Sequence, residues 1–292
     1  MFSVAAIRYR AVLAADGGPI QSIEEGEISI AGDNYSQANA TLRDDLIGRR
    51  HLQIYSNADG SGLHSSSMVA RYIAISEALE RWAYHETLGS FRCRTFGFHI
   101  DPSSNGMAAY PGISTAPARR RARFEAIERF CLLNWWERRL EGELRDTPWP
   151  GVTAISFSLP IGGIAVILFM RSAWGFFSYG HAAANSYLDA CKRARLELAR
   201  HEWAIRSWIL AGKCKPLEDL FERRAWFFST DEGYVVFRER LKARAETLIP
   251  LTEVICDSEI LGPWSTYTTV WRYLLRPPSE RFLGCDDRYF FW

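Results

Sequence analysis

The chain has 292 residues, 48% hydrophobic and 24% charged, with a net charge of +1. This composition is typical of a globular protein with a sizeable core, and the near-neutral charge argues against nucleic acid as a partner. The longest apolar run, 161–170, contains two glycines and is too short to cross a bilayer, and residues 1–13 carry two arginines and lack a cleavage site. We therefore expect a cytoplasmic protein without a membrane segment.

The predicted elements alternate between short β-rich runs and long helices. The β-rich runs are bounded by Gly, Asp, Asn or Pro, whereas the helical segments are longer and one of them begins at Pro117, which suits a first helical position. In chain order we predict strands over 4–13, 26–31 and 50–56, a helix over 68–88, a strand over 91–100, a helix over 117–140, strands over 152–159, 163–170 and 175–179, a helix over 186–210, helices over 217–228 and 234–247, a strand over 248–257 and an irregular tail.

This order predicts an α/β fold in which long helices pack on mixed β-sheets with an internal helix-strand repeat. No linker composition divides the chain, so we expect one domain over 1–292. Within it we expect a motif-bearing core over about 55–205 and a diverged, aromatic-rich C-terminal part over about 213–292.

One hexapeptide occurs twice in the chain. Glu77-Ala78-Leu79-Glu80-Arg81-Trp82 returns as Glu125-Ala126-Ile127-Glu128-Arg129-Phe130 at a constant offset (125 − 77 = 128 − 80 = 48). A helix has about 3.6 residues per turn, so glutamates three apart share a face, and two such helices facing each other would converge four carboxylates. Carboxylates suit magnesium, which proteins commonly share with substrate phosphates, and the arginines suit phosphate oxygens.

Chance is the alternative interpretation, because Glu and Arg are good helix formers on solvated faces. A solvent-exposed helix face does not require an alanine or an aromatic residue at fixed positions, yet both recur in the two hexapeptides. The doubled motif therefore favours a functional role over chance. The chain contains neither GxxxxGK[ST] nor a kinase-type GxGxxG, so an ATP site would have to be built on helices. Of the histidines, most of which we expect to be structural, His181 is the best candidate for a site because it follows Gly180 at a strand end.

In this arrangement the chain resembles the YcaO superfamily. In that family a Gly-Lys-Gly turn precedes a helix with GExxER, and a second helix carries ExxER after a loop with Gly and Thr. The corresponding stretches here are Gly60-Ser61-Gly62 before Ser76-Glu77-Ala78-Leu79-Glu80-Arg81, and Gly112-Ile113-Ser114-Thr115 before Glu125-Ala126-Ile127-Glu128-Arg129. A Gly-containing strand followed by an RAxxE helix is matched by Gly180-His181-Ala182 and Arg193-Ala194-Arg195-Leu196-Glu197.

The resemblance implies a YcaO-like fold and an enzyme that uses ATP and Mg2+, with no assigned catalytic side chain. Members phosphorylate a peptide-bond oxygen after a Cys, Ser or Thr side chain, or sulfide, has added to the amide carbon, and loss of phosphate gives an azoline or a thioamide. The implied metal ligands are Glu77, Glu80, Glu125 and Glu128. The implied nucleotide-binding residues are Gly60, Ser61, Gly62, Arg81, Arg129, Arg193 and Glu197.

The implied partners are a ribosomally made precursor peptide, a leader-peptide-binding protein and a flavin dehydrogenase, in an oligomer or hetero-complex. The chain departs from the family pattern, with Ser61 in place of lysine, Ile73 in place of serine and Pro117 in place of an acidic residue. It is thus a short, diverged member by resemblance. The alternatives are a non-catalytic YcaO-like scaffold that binds a partner through its aromatic-rich C-terminal third, and an unrelated α/β protein.

Overall fold

The structure is a computed structural model that describes residues 4–30, 33–46, 58–212, 217, 219–247 and 252–292. Its contacts divide the chain into two compact units. Unit 1 comprises Met1–Arg123 and Val254–Leu274, and unit 2 comprises Phe124–Glu253 and Leu275–Trp292. Each unit is built around one long helix packed on an antiparallel sheet. The single-domain organisation stays a prediction.

The helices and strands of the described residues follow one another in this order: α1 (Val4–Arg8), β1 (Ile20–Ile30), β2 (Asp33–Leu42), β3 (Gly60–His64), α2 (Ser67–Leu88), β4 (Met107–Tyr110), α3 (Ala116–Trp136), β5 (Glu143–Asp146), β6 (Thr153–Ser158), β7 (Ile164–Arg171), β8 (Phe177–Ala184), α4 (Tyr187–Leu210), α5 (Leu220–Ser229), α6 (Asp231–Lys242), β9 (Val254–Glu259) and β10 (Thr269–Leu275). Short 3-10 turns lie at Ala14–Asp16, Asp44–Leu46, Phe91–Cys93, Pro263–Thr266 and Arg281–Leu283.

Unit 1 holds two three-stranded sheets, in the orders β1-β2-β3 and β4-β10-β9. Helix α2 packs on the first sheet through small residues, because Ala70, Ala74 and Ala78 are fully buried. Strand β3 lies against the helix backbone: a methyl group at Gly60 would come within 2.2 Å of the carbonyl oxygen of Ala74. Glycine is therefore required here for the close approach of strand and helix.

Unit 2 holds one antiparallel sheet in the order β5-β6-β7-β8, with α4 packed on β7 and β8. Gly180 of β8 repeats the role of Gly60, because a methyl group there would lie 2.2 Å from the carbonyl oxygen of Ala194. The two glycines are 120 positions apart (180 − 60), as are the helix N-caps Ser66 and Ser186 (186 − 66). The internal helix-strand repeat thus relates β3–α2 to β8–α4.

Gly60→Ala is expected to destabilise unit 1 by about 3 kcal/mol, since the added methyl group meets main-chain atoms that cannot rotate away. Gly26→Ala is the matched control on β1, where a methyl group would meet nothing within 4 Å and where alanine should be neutral or slightly stabilising. Urea unfolding of both variants measures the difference. Equal effects would contradict the close-approach explanation.

The α/β fold class is confirmed, with helices packed on antiparallel sheets. The helices predicted over 68–88 and 186–210 are confirmed as α2 and α4. The helix predicted over 117–140 ends at Trp136, because Arg138 adopts a left-handed φ of 59° and the N–H groups of Arg139 and Leu140 both bond the carbonyl oxygen of Asn134. Among the described residues no helix is both long and apolar enough to cross a membrane.

Other predictions of local structure are wrong. Residues 4–8 form α1 rather than a strand, and 91–100 is a run of turns closed by main-chain bonds such as Phe98 N–H to the Cys93 carbonyl. The predicted irregular tail contains β10, in which three of the four residues that pair with β4, Thr269, Val270 and Trp271, are β-branched or aromatic. The predicted strand over 50–56 lies outside the described residues.

Candidate functional site

The first glutamate of the doubled motif is tied to the strand that precedes its helix. Oε2 of Glu77 accepts a hydrogen bond of 3.0 Å from the backbone N–H of Ser61. The predicted Gly60-Ser61-Gly62 turn is wrong, because these residues form the first part of β3 and their glycines let the strand approach α2. Ser61 nevertheless contacts the acidic motif, although through its backbone N–H, which any residue except proline would supply.

The second glutamate, Glu80, is bound from another strand. Its Oε2 accepts a hydrogen bond of 3.2 Å from the N–H of Ala109 on β4. Burial, followed by the charge of Glu77, raises the pKa of Glu80 to about 7, against the opposing effects of Arg81 and Arg121. Ionisation of both carboxyl groups is therefore disfavoured in this unit, and a bound cation would relieve that cost.

The residues that flank Glu80 have different roles. Arg81 is partly buried and donates from Nη1 to Oγ of Ser104 at 3.2 Å. Trp82 is buried and packs edge-on against Trp264 with ring centroids 5.6 Å apart, so the aromatic position of the motif belongs to the core of unit 1. Only the two glutamates and Arg81 are thus partly accessible in this copy of the hexapeptide.

Glu80→Gln is expected to stabilise the metal-free protein by about 2–3 kcal/mol at pH 8. A carboxyl group with a raised pKa binds its proton more tightly in the folded state, so stability falls as the pH rises from about 4.5 to about 7. Glutamine avoids this cost, and its advantage should shrink to below about 1 kcal/mol at pH 5. Urea unfolding in the presence of a chelator measures the difference in stability between Glu80→Gln and the parent, and the exposed Glu86→Gln is the control on the same helix. A stability difference that does not change with pH would contradict the prediction.

In unit 2, the second copy of the motif lies on α3 and its glutamates have different surroundings. Oε1 of Glu128 lies 2.7 Å from Nδ1 of His181, the residue that follows Gly180 on β8. The same oxygen is 3.8 Å from Nε of Arg129. Glu125 is partly buried one turn earlier in α3 and also interacts with its surroundings. Glu128 is therefore already neutralised in part by groups of its own unit.

Arg129 is held by the last residues of the chain rather than pointing into solvent. Its Nη1 donates to the carbonyl oxygen of Trp292 at 3.1 Å, and its guanidinium lies 5.1 Å from the ring centroid of Phe291. The Trp292 ring in turn stacks on His201 at 5.5 Å. Burial lowers the pKa of His201 to about 4, so this histidine is neutral and part of the core.

The two residues of the RAxxE pattern lie on the exposed side of α4. Arg193 donates to the carbonyl oxygen of Ala183 at 3.5 Å, and its guanidinium lies 5.9 Å from the Phe124 ring. Glu197 forms an ion pair of 3.2 Å with Arg200. Glu197 occupies in α4 the position that Glu77 occupies in α2 (197 − 77 = 120). Both side chains are thus accessible to a ligand, with weak intramolecular contacts.

The predicted metal ligands are divided between the units as two pairs, Glu77 with Glu80 and Glu125 with Glu128. Within the described part of either unit, no three His, Cys, Asp or Glu side chains are gathered in a way that could hold an ion. The pair on α2 fits a shared magnesium site, since it joins two interacting carboxyl groups whose joint ionisation is disfavoured without a cation. The four-carboxylate site stays a prediction.

Comparisons with solved structures settle the architecture. The chain is similar to a chain of the E. coli microcin synthetase McbBCD complex with pro-MccB17 bound, with a TM-score of 0.55, 12% identity and coverage of 91% of this chain and 90% of the other. It is also similar to YcaO from Methanopyrus kandleri bound with AMPPCP and Mg2+, with a TM-score of 0.55, 17% identity and coverage of 98% and 92%. The chain has the YcaO fold. No family model and no curated protein matches it.

The YcaO fold confirms the resemblance at the level of architecture, and the alternative of an unrelated α/β fold is wrong. Two contacts of the candidate site could not be foreseen from the sequence. The pairing of His181 with Glu128 needed the register of β8, and the bond from Arg129 to Trp292 joins residues 163 positions apart. The sequence did single out His181, but on the expectation that it follows the end of a strand, which is wrong because His181 lies within β8.

Proposed function

We propose that the chain binds ATP with Mg2+ and uses it to phosphorylate backbone amides of a ribosomally made peptide, giving an azoline or a thioamide. We further propose that it works as one subunit of a cytoplasmic synthetase complex, with a leader-peptide-binding protein and a flavin dehydrogenase as partners. The solved structures with the same fold support this, since one is a YcaO bound with AMPPCP and Mg2+ and another is a synthetase complex with its peptide.

The observation that carries the proposal is the anchoring of Glu77 and Glu80. A backbone N–H holds Oε2 of each carboxylate, which leaves Oε1 of each to a ligand within the described part of unit 1. Both side chains are partly buried, and their mutual repulsion contributes to the raised pKa of Glu80. The backbone bonds account for one oxygen of each carboxylate, and the remaining pair of oriented oxygens suits a divalent cation.

The residues would act by binding and orientation. Glu77, Glu80, Glu125 and Glu128 would hold Mg2+, which supplies charge neutralisation at the phosphates of ATP. Arg81, Arg129, Arg193, Gly60, Ser61, Gly62 and Glu197 would contact or frame the nucleotide. Such a site needs no nucleophile of its own, because phosphoryl transfer depends mainly on positioning and electrostatics.

Calorimetry with a non-hydrolysable ATP analogue tests nucleotide binding directly. Titration in the presence of Mg2+ is expected to show binding that is lost in chelator and is at least about tenfold weaker in Glu80→Gln. Glu86→Gln on the exposed face of α2 is the control. Binding that survives both chelation and Glu80→Gln would contradict the proposed site.

A non-catalytic scaffold is the second candidate, and unit 2 favours it. Glu128 already has His181 at 2.7 Å, and Arg129 already donates to Trp292, so two residues expected to serve the metal and the nucleotide are engaged within the chain. Ser61, Ile73 and Pro117 also differ from the family pattern. The calorimetry separates the candidates, since a pure scaffold would show no Mg2+-dependent binding of the analogue.

A further inference from the structure

The outer edge of unit 1 is an unusually long and exposed strand. Strand β1 spans Ile20–Ile30, 11 residues, and lies at one end of the β1-β2-β3 sheet. Seven of the nine residues Gln21–Ser29 are exposed. Native proteins usually keep edge strands short or protect them, because the unpaired N–H and C=O groups of an edge can pair with another chain.

The backbone of this edge has no second partner in the described part of the chain. Residues 22–30 pair with β2 in unbroken antiparallel register, and a bulge at Gln21 separates them from Ile20. The other main-chain bonds of this region, from Gly18 to Leu13 and from Ile20 to Val12, end where the edge begins. No proline interrupts β1, so its outward groups can form a continuous ladder.

The side chains of the edge are acidic. Glu24, Glu25 and Glu27 all lie on β1, whose sequence contains no lysine or arginine. Glu25 forms an ion pair of 2.9 Å with Arg71, whereas Glu24 and Glu27 have no ion-pair partner among the described residues. Glu25 pairs with Ala38 and Glu27 with Ser36, so these two glutamates lie on one face of the sheet. Glu24 pairs with Asn39 and lies on the other face.

The glutamates on β1 favour a basic segment over a second copy of this chain as the partner of the edge. A second copy pairing antiparallel about Gly26 would place Glu25 of each chain opposite Glu27 of the other, and like charges directly opposite one another destabilise a sheet. In the part of unit 2 that the structure describes, the exposed edge strand is β5, which has four residues and carries both signs of charge. The acidic edge instead matches an extended segment with lysine or arginine on both of its faces, because Glu24 and Glu27 lie on opposite faces of the sheet.

We propose that β1 binds a basic, extended segment of polypeptide by strand addition, with backbone bonds along Ser22–Ser29 and ion pairs to Glu24 and Glu27. The bond ladder supplies affinity that depends little on sequence, and the carboxylates select for basic segments. This inference is independent of the proposed ATP chemistry, since β1 carries none of the residues assigned to the nucleotide or the metal.

Fluorescence anisotropy without nucleotide tests the inference. The probe is a labelled peptide of about twelve residues, long enough to match β1, in which lysines spaced three residues apart among valines and threonines lie on both faces of the extended chain. We expect this peptide to bind. N-methylation at alternate peptide residues removes the backbone N–H groups that would donate to β1, and it should weaken binding by about tenfold or more. A peptide with glutamate in place of lysine should not bind.

Two further measurements locate the contact. The Glu24→Lys/Glu27→Lys double variant should weaken binding by about tenfold, whereas Glu86→Lys/Glu143→Lys, with the same change in net charge, should not. Added peptide should slow amide exchange over residues 22–29. Absent binding, binding indifferent to N-methylation or to the β1 variant, protection elsewhere, or a β1-mediated dimer by light scattering would each overturn the proposal. ATP binding measured in parallel by calorimetry reports separately on the proposed function.

Discussion

Glu77→Gln and Glu80→Gln are each expected to lower peptide-dependent ATP turnover by about 100-fold or more, because outer-shell partners of metal ligands already cost 10–100-fold and these are proposed ligands themselves. Each carboxylate is held in place through Oε2 by a backbone N–H, and glutamine in its place would offer a neutral amide instead of a second anionic oxygen. Phosphate release with precursor peptide and partner proteins present measures the effect. Raising the Mg2+ concentration should partly restore turnover of the variants.

The control for this prediction lies further along α2, six residues after Glu80 (86 − 80). Glu86 is exposed and outside the motif, so Glu86→Gln should retain turnover within about twofold. Stability must be followed in parallel, since Glu80→Gln is expected to stabilise the metal-free protein rather than weaken it. Loss of turnover in a variant that is more stable than the parent cannot be attributed to unfolding. Full activity in both motif variants would disprove the acidic site.

The doubled hexapeptide allowed the architecture and the acidic pairs to be predicted. Its period places Glu77 and Glu80 on one face, and α2 confirms that face as partly buried beside β3 and β4. The aromatic position that recurs in both hexapeptides was informative for a different reason, because Trp82 and Phe130 are buried and fix the rotation of each helix about its axis. A sequence pattern that specifies both the buried side and the polar side of a helix fixes the orientation of that helix better than a pattern that specifies one side only.

Contacts that depend on register could not be predicted. The offset of 48 between the hexapeptides does not mark the structural repeat, which has an offset of 120 and rests on Gly60 and Gly180. Glycine recurs for many reasons in a sequence, and only the packed structure shows that these two meet a helix backbone. The partner of Arg129 was equally hidden, since Trp292 is brought to it by the folding of the last ten residues.

Arg224→Met is expected to cost unit 2 about 3–5 kcal/mol of folding stability. The Arg224 side chain is fully buried and donates to four main-chain carbonyl oxygens, those of Phe282, Gly284, Asp286 and Phe291, at 2.8–3.0 Å. Methionine fills much of the volume but leaves these acceptors without donors, and each buried unsatisfied group costs about 1–3 kcal/mol. Relaxation of the C-terminal segment 282–292 limits the total. Urea unfolding measures the loss.

The neighbouring Arg223 provides the matched control, because it forms a partly exposed ion pair of 2.9 Å with Asp287 and should cost at most about 1 kcal/mol when replaced by methionine.

Segment 282–292 also carries the Trp292 carbonyl that engages Arg129, so release of this segment should open Arg129 to solvent. In Arg224→Met, trypsin should therefore cleave faster after Arg288, and an ATP analogue with Mg2+ should bind with altered affinity. Faster cleavage with unchanged binding of the analogue would show that segment 282–292 does not affect nucleotide binding. An unchanged free energy of unfolding would refute the anchoring of this segment by Arg224.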